Sequence, residues 1–179
     1  MSLTDLAQRY HFAPIPLAQY PQHLPPQVAT ALPAEDCLVF PVADEHSDTA
    51  AFSAHFGFGL EDCANTLVLR YKAGGAEHHA AVVSLGSRRL DVNGAVKTLL
   101  GAQRLSFAKR EDATALTGME FGGITAFGLP REMRILVDAA VMERSFVVMG
   151  AGYRRSKLLL DPALLRKLPQ VEVATMACE

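Results

Sequence analysis

Asn65-Thr-Leu-Val-Leu-Arg-Tyr71, then Lys-Ala-Gly-Gly75, then Ala-Glu-His-His-Ala-Ala-Val-Val-Ser-Leu85 is the stretch that decides the fold. From Asn65 to Tyr71 the residues alternate, with Leu67, Leu69 and Tyr71 on one side and Thr66, Val68 and Arg70 on the other. That period of two is a strand. Gly74-Gly75 turns the chain back into a second strand at His78–Leu85, so a β-hairpin is expected. Asn65 shares the parity of Leu67 and Leu69, which puts a polar amide at the rim of that face if it is the core. A buried amide needs a partner, so Asn65 either caps the start of the strand or faces a ligand.

Strands and helices are intermixed on both sides of the hairpin. Cys37–Val42 is a continuous apolar run of strand length, and Ser47-Asp48-Thr49 are N-cap residues ahead of a helix that ends at Gly57. Downstream, the patterns predict a helix over Asp91–Leu100, a strand over Leu105–Ala108, and a helix over Glu111–Thr117 stopped by Gly118. Arg134–Val137, Phe146–Met149, Leu158–Leu160 and Val171–Thr175 read as strands, with a helix begun by Asp161-Pro162. Without a strict βα alternation, the expected fold is α/β of the mixed α+β kind, a single domain with a mixed sheet surrounded by helices. Residues 1–35 form an appendage to the domain of residues 36–179. A short helix over Ser2–Tyr10 is followed by a proline-rich passage that resists regular structure, packed on the domain because Phe12, Ile15, Leu17 and Leu24 need cover.

At 179 residues, half hydrophobic and a fifth charged, the chain can bury a sizeable core. It has no run of roughly 20 apolar residues and no signal peptide at Met-Ser-Leu-Thr-Asp, so a cytoplasmic protein without a membrane partner is expected. Cys37, Cys63 and Cys178 are odd in number and far apart, which predicts reduced thiols. A net charge of −2 argues against coating DNA or RNA by bulk electrostatics, and no DNA partner is expected. A local basic patch that grips the end of an RNA is compatible with it.

No metal and no cofactor are expected. His78 and His79 are strand neighbours and point to opposite faces, and His46 and His55 lack the spacing that pairs ligands on a helix. Gly150-Ala-Gly152 lacks the third glycine of a dinucleotide loop, and no Gly-x-Ser-x-Gly elbow presents a nucleophile. Arg154, Arg155 and Lys157 form either an exposed basic turn or a contact to phosphates.

Met119-Glu-Phe-Gly-Gly-Ile-Thr-Ala-Phe-Gly-Leu-Pro130 is the candidate stretch for the chemistry. Its glycines let bare backbone amides approach a ligand, so it is either a turn between a helix and a strand or a receptor for an anion or polarised carbonyl.

The order of Ala64-Asn-Thr-Leu-Val-Leu69, Arg89-Leu-Asp-Val, Leu105-Ser-Phe-Ala108, Thr117-Gly118, Phe121-Gly-Gly-Ile-Thr-Ala-Phe-Gly128, Leu136-Val-Asp138 and Gly150-Ala-Gly152 resembles the YbaK/EbsC family. The likeness covers roughly Asp44 to Leu168. It implies a strongly curved mixed sheet and an aminoacyl-tRNA deacylase related to the editing domain of prolyl-tRNA synthetases. The implied partner is the 3′ acceptor end of aminoacyl-tRNA, with an aminoacyl-tRNA synthetase as a further candidate. The resemblance puts Asn65, Gly122 and Gly123 at the reacting ester. It puts Thr49, Thr66, Ile124, Thr125 and Ala126 in the substrate pocket, together with Phe127, Gly128, Asp138 and Gly152. Arg154, Arg155 and Lys157 are the implied tRNA contacts. Two positions depart from the family pattern, Asn65 where it has lysine and Ala126 where it has proline. A binding module that keeps the pocket without the chemistry is therefore the alternative reading, and hydrolysis of another small ester a third.

Overall fold

The computed structural model describes residues 1–178. Helix α1 (Leu3–Arg9) begins in a capping box between Ser2 and Asp5. The proline-rich passage expected to be irregular holds two short helices, α2 (Tyr20–His23) and α3 (Pro26–Ala31). Their prolines sit in the first turn, where a missing N–H costs nothing. Strand β1 (Cys37–Pro41) leads to α4 (Thr49–Phe56), capped by the Asp48 carboxylate and closed by Gly57 in the left-handed region. The hairpin follows as β2 (Cys63–Ala73) and β3 (Ala76–Leu85), then β4 (Arg89–Leu90).

The helix expected over 91–100 is a π turn at Val92–Val96 followed by α5 (Lys97–Leu100). Asp91 sets this start, because its carboxylate accepts from the amides of Gly94 and Ala95 while its carbonyl accepts from Val96 N. Strand β5 (Arg104–Phe107) and helix α6 (Arg110–Thr117) come next. They are followed by β6 (Arg134–Asp138), α7 (Ala139–Met142), β7 (Val147–Gly150) and β8 (Ser156–Leu160). A 3-10 turn at Pro162–Lys167 takes the place of the last expected helix, before β9 (Val171–Ala174) and β10 (Ala177–Cys178).

Eight strands form one sheet in the order β1-β8-β7-β2-β3-β6-β9, with β5 also paired to β2, and β4 pairs with β10 in a small second sheet. The sheet is mixed, as expected: β2–β7, β3–β6 and β6–β9 are parallel and the other pairs antiparallel.

Both faces of the sheet are covered, where the alternation in 65–71 had suggested one. On one face Ala64 and Val68 of β2 join Val83, Ile135, Met149 and Leu158 in a large cluster with Leu24, Val28 and Phe127. The other face carries two separate clusters. One gathers Phe40, Phe52, Phe58, Cys63 and Leu159, and the other Leu69, Tyr71, Val82, Val96 and Leu136. Among the described residues the two clusters share no member, and the site described below lies between them.

The N-terminal residues belong to these clusters. Leu6 lies in the Phe52 cluster and Ile15, Leu24 and Val28 in the large one, while Ile15 N donates to Val39 O at 2.7 Å. Gln27 Nε2 donates to the Thr117 carbonyl at the end of α6. Leu17, expected to need cover, is 62% exposed. Leu24 is 1% exposed, so Leu24→Ala is expected to destabilise the whole protein by about 2–5 kcal/mol in a single cooperative urea transition. A separate early transition would show that this segment unfolds on its own.

Candidate active site

Strand β2 cannot keep one partner along its outer edge. It pairs with β7 at Cys63 and Ala64 and with β5 from Leu69 to Lys72. Between them, at Asn65–Leu67, the edge is left open. A cleft of about 920 Å³ occupies the opening, and residues from both faces of β2 line it, Asn65 and Leu67 from one and Thr66 and Val68 from the other.

A row of four residues crosses the sheet at the floor of this cleft. Asn65 pairs with Ser84 of β3, lies one residue past the Ala64–Met149 pair of β7 and so beside Gly150, and Gly150 pairs with Lys157 of β8. All four line the cleft. Aligned positions in a sheet point to one face, and this is the face with the gap between its apolar clusters. From above, Thr49 Oγ1 in the first turn of α4 donates to Asn65 Oδ1 at 2.9 Å. The amide therefore does not cap its own strand; its oxygen is held and its nitrogen has no protein partner among the described residues.

Gly150 has no side chain for a physical reason. A Cβ there would meet the carbonyl oxygens of Gly123 and Ile124, each at 2.7 Å. The glycine-rich loop thus packs directly on the end of β7, and Gly123 O accepts from Gly152 N at 2.7 Å. Gly122 has φ 89°, a conformation that favours glycine, and would press a side chain onto Arg154. Gly123 N donates to Glu120 O, whereas the amides of Gly122 and Ile124 have no protein acceptor among the described residues.

The loop divides in two. Phe121, Gly122 and Ile124 line the cleft. Thr125, Ala126 and Phe127 do not: they are 0–1% exposed, Ala126 and Phe127 inside the large cluster. Gly128 packs against Gln27 of α3. These four expected pocket residues therefore anchor the loop instead of contacting the cleft, because apolar side chains at Ala126 and Phe127 pull this half into the core.

Asp138 is likewise placed away from the cleft. Its carboxylate caps Ala140 N and accepts from Met176 N at 2.8 Å and Ala177 N at 3.1 Å, tying the C-terminal segment to β6. Gly152 packs on Pro25 and Val28. Arg155 is exposed over the Tyr153 ring, away from the cleft. Arg154 does line it, held by an ion pair to Asp44 at 3.0 Å.

Lys157 is not in an exposed turn but inside β8, 8% exposed. Burial pulls its ammonium below the ordinary lysine range, an effect that nearby Arg154 reinforces and Cys63 and Asp48 oppose. Neighbouring Cys63 is pushed up to about 11 by burial, so its thiol stays protonated at neutral pH and is not a nucleophile. No histidine lines the cleft. His46 and His55, which their spacing had separated, stack with ring centroids 3.7 Å apart outside it. Among the described residues there is no cluster of three or more metal-ligating side chains.

The rim adds residues that sequence patterns had not singled out. Arg88 and Arg89 line the cleft and make no ion pair among the described residues. Phe107 is 56% and Phe121 43% exposed beside it. Arg88-Arg89 before the Asp91 cap, and Leu105 and Phe107 on one side of a short strand, were the available signals.

An open cleft with a donor-rich floor, a glycine-rich wall and an arginine and phenylalanine rim can be compared with known proteins. The aminoacyl-tRNA editing domain matches residues 44–168. The chain belongs to that family. The resemblance to YbaK-like proteins is thereby borne out. Within the curated relatives of this editing-domain protein, the Multifunctional Ser/Thr-tRNA deacylase ProXp-y of Escherichia coli (strain K12) is 25% identical over 118 residues, 65% of this chain and 70% of that one. The proline--tRNA ligase of Bacillus licheniformis is 33% identical over 101 residues, 56% of this chain but 17% of the ligase. Among solved structures, a candidate trans-editing enzyme for prolyl tRNA synthetase superposes with a TM-score of 0.74 at 20% identity, covering 93% of this chain and 100% of that one. A hypothetical protein superposes at 0.67 with 26% identity, covering 77% and 86%. The fold expected from the sequence is the fold these neighbours share.

In this editing domain the contact of Gly150 with the loop is backbone against strand, so neither side can rotate away. Gly150→Ala is expected to lower stability by about 1–3 kcal/mol. The check is a thermal midpoint lower by roughly 2–4 °C per kcal/mol for a chain of this size.

Proposed function

We propose that this protein is a trans-acting aminoacyl-tRNA deacylase, which hydrolyses the ester between an amino acid and the terminal ribose of a misacylated tRNA. The observation that carries this reading is the cleft floor itself. Asn65 Nδ2 and the free amides of Gly122 and Ile124 are unpartnered donors around one opening, which suits a carbonyl oxygen that gains negative charge when attacked. Membership of the editing-domain family supports the substrate class.

In the proposed reaction water adds to the acyl carbonyl and the ribose oxygen leaves with a proton, giving a free amino acid and a tRNA with its terminal hydroxyl restored. Asn65, set by Thr49, positions the carbonyl, and the Gly122 and Ile124 amides stabilise the oxyanion. Phe107 and Phe121 offer faces on which terminal bases stack, and Arg88, Arg89 and Arg154 meet the phosphates. Such a substrate places the protein in the cytoplasm with charged tRNA. No helix among the described residues is long and apolar enough to cross a membrane.

Single-turnover deacylation of seryl-, threonyl-, alanyl- and cysteinyl-tRNAs tests the proposal. Rapid release of at least one amino acid is expected, and bound but intact substrate across the panel would mark a binding module. Asn65→Ala is expected to lower the rate about 10²-fold or more, the loss seen when one oxyanion donor is removed. Replacing Arg88 and Arg89 together by alanine should weaken tRNA binding about equally for every tRNA and reduce the salt slope by about 1 per lost phosphate contact, read from titrations at several salt concentrations.

A further inference from the structure

Lys157 has an environment that an acceptor-bearing ligand would complete. It is 8% exposed, yet its ammonium has no carboxylate within ion-pairing distance and no hydrogen-bond acceptor among the described residues. The centroid of the Phe52 ring lies 5.7 Å from Nζ. A cation–π contact of this kind replaces a small part of lost hydration. Buried charges are ordinarily paired, and an unpaired one is retained at a cost to stability. The Lys157 ammonium is not fully occluded, and the residue lines the cleft.

The position follows from strand register. Lys157 pairs with Gly150, and Asn65 lies on the far side of that glycine, so no side chain separates the lysine from the amide in their row. The same three residues, with Thr49 and Phe52, also line a small recess of about 10 Å³ behind the main cleft. Asn65 Nδ2 and Lys157 Nζ are two unpartnered donors directed at one lane. Asp48, the carboxylate whose charge acts on the lysine, has one oxygen held by Ala51 N as the cap of α4. Two unpartnered donors in one lane suit a ligand atom that accepts, and favour one that becomes anionic.

We infer that Lys157 is a catalytic residue of the deacylase, its ammonium contacting the acyl carbonyl oxygen beside Asn65 and stabilising the oxyanion formed when water adds. The inference rests on the proposed deacylase reading and deepens it by assigning the positive charge at the reacting centre to β8. Charge-assisted hydrogen bonds are about twice as strong as neutral ones, so the lysine supplies what the neutral amide at Asn65 lacks.

The test is Lys157→Met, which keeps most of the apolar stem and removes the charge, with Lys157→Gln as the second variant. Both are assayed by steady-state hydrolysis of the aminoacyl-tRNA that wild type turns over fastest, and by thermal unfolding. The expected result is kcat lower by about 10²-fold or more with KM within about threefold. The unfolding midpoint should be equal to wild type or higher, because a buried unpaired charge has been removed. A folded variant with kcat within about threefold of wild type overturns the assignment and leaves the deacylase reading standing. Lost activity with a lowered midpoint in both variants also overturns it, since the lysine would then be structural. Wild type that hydrolyses no member of the panel removes the deacylase reading, and the role of Lys157 at its ester falls with it.

Discussion

The change of partner along one edge of β2 is the constraint on which the rest depends. A strand edge carries backbone donors and acceptors that must be paired or solvated. Here β7 supplies the pairing at Cys63–Ala64 and β5 at Leu69–Lys72. The stretch between has no strand to pair with, and the chain places polar and small residues there: Asn65 on β2, Gly150 on β7 and Lys157 on β8. Filled with leucines, the same row would join the Phe52 and Val96 clusters into one core and close the opening. The cleft is thus the place where one face of the sheet is left without a hydrophobic core.

The opposite face compensates. The large cluster runs across β1, β8, β7, β2, β3 and β6, and it takes in the second half of the glycine-rich loop and helix α3. That burial fixes the loop from behind. Ala126 and Phe127 are held in the core, so Gly122 and Ile124 can present free amides without a cap of their own. Gly150 and Gly123 let the loop backbone and the end of β7 approach closely enough to share a hydrogen bond through Gly152. Pre-orientation of this kind is what an oxyanion site requires, because the donors need not move when charge develops.

Charge in the cleft is arranged in depth. Arg88 and Arg89 sit exposed at the rim, Arg154 is half-buried and tied to Asp44, and Lys157 is buried on the floor. Rim charges act through a solvent that screens them over about 8 Å at physiological salt. The floor lysine is screened far less, so each unit of charge there acts more strongly on a group that enters the cleft. With a net charge of −2 for the whole chain, this local gradient is invisible in composition.

Local patterns were enough for much of the fold. The hairpin over β2 and β3, the capped start of α4, the Gly118 stop of α6 and the mixed class all follow from side-chain period, caps and glycine, which act within a few residues. Asn65, Thr49 and the first half of the glycine-rich loop were expected at a pocket for the same reason and through the family likeness, and they line the cleft. Distances across the sheet were not. Lys157 read as part of a basic turn because sequence shows its neighbours Arg154 and Arg155, whereas its environment also comes from Phe52 of α4 and Asn65 of β2, which are far away in the chain. Asp138 and Ala126 read as pocket residues, yet long-range contacts with Met176 and with the core decide what they touch. Sequence by itself determined most of the strands, the capped helices and the chemical types available. Tertiary structure decided which of them meet, because strand order and the choice of buried face are set by packing over the whole chain and not by any local period.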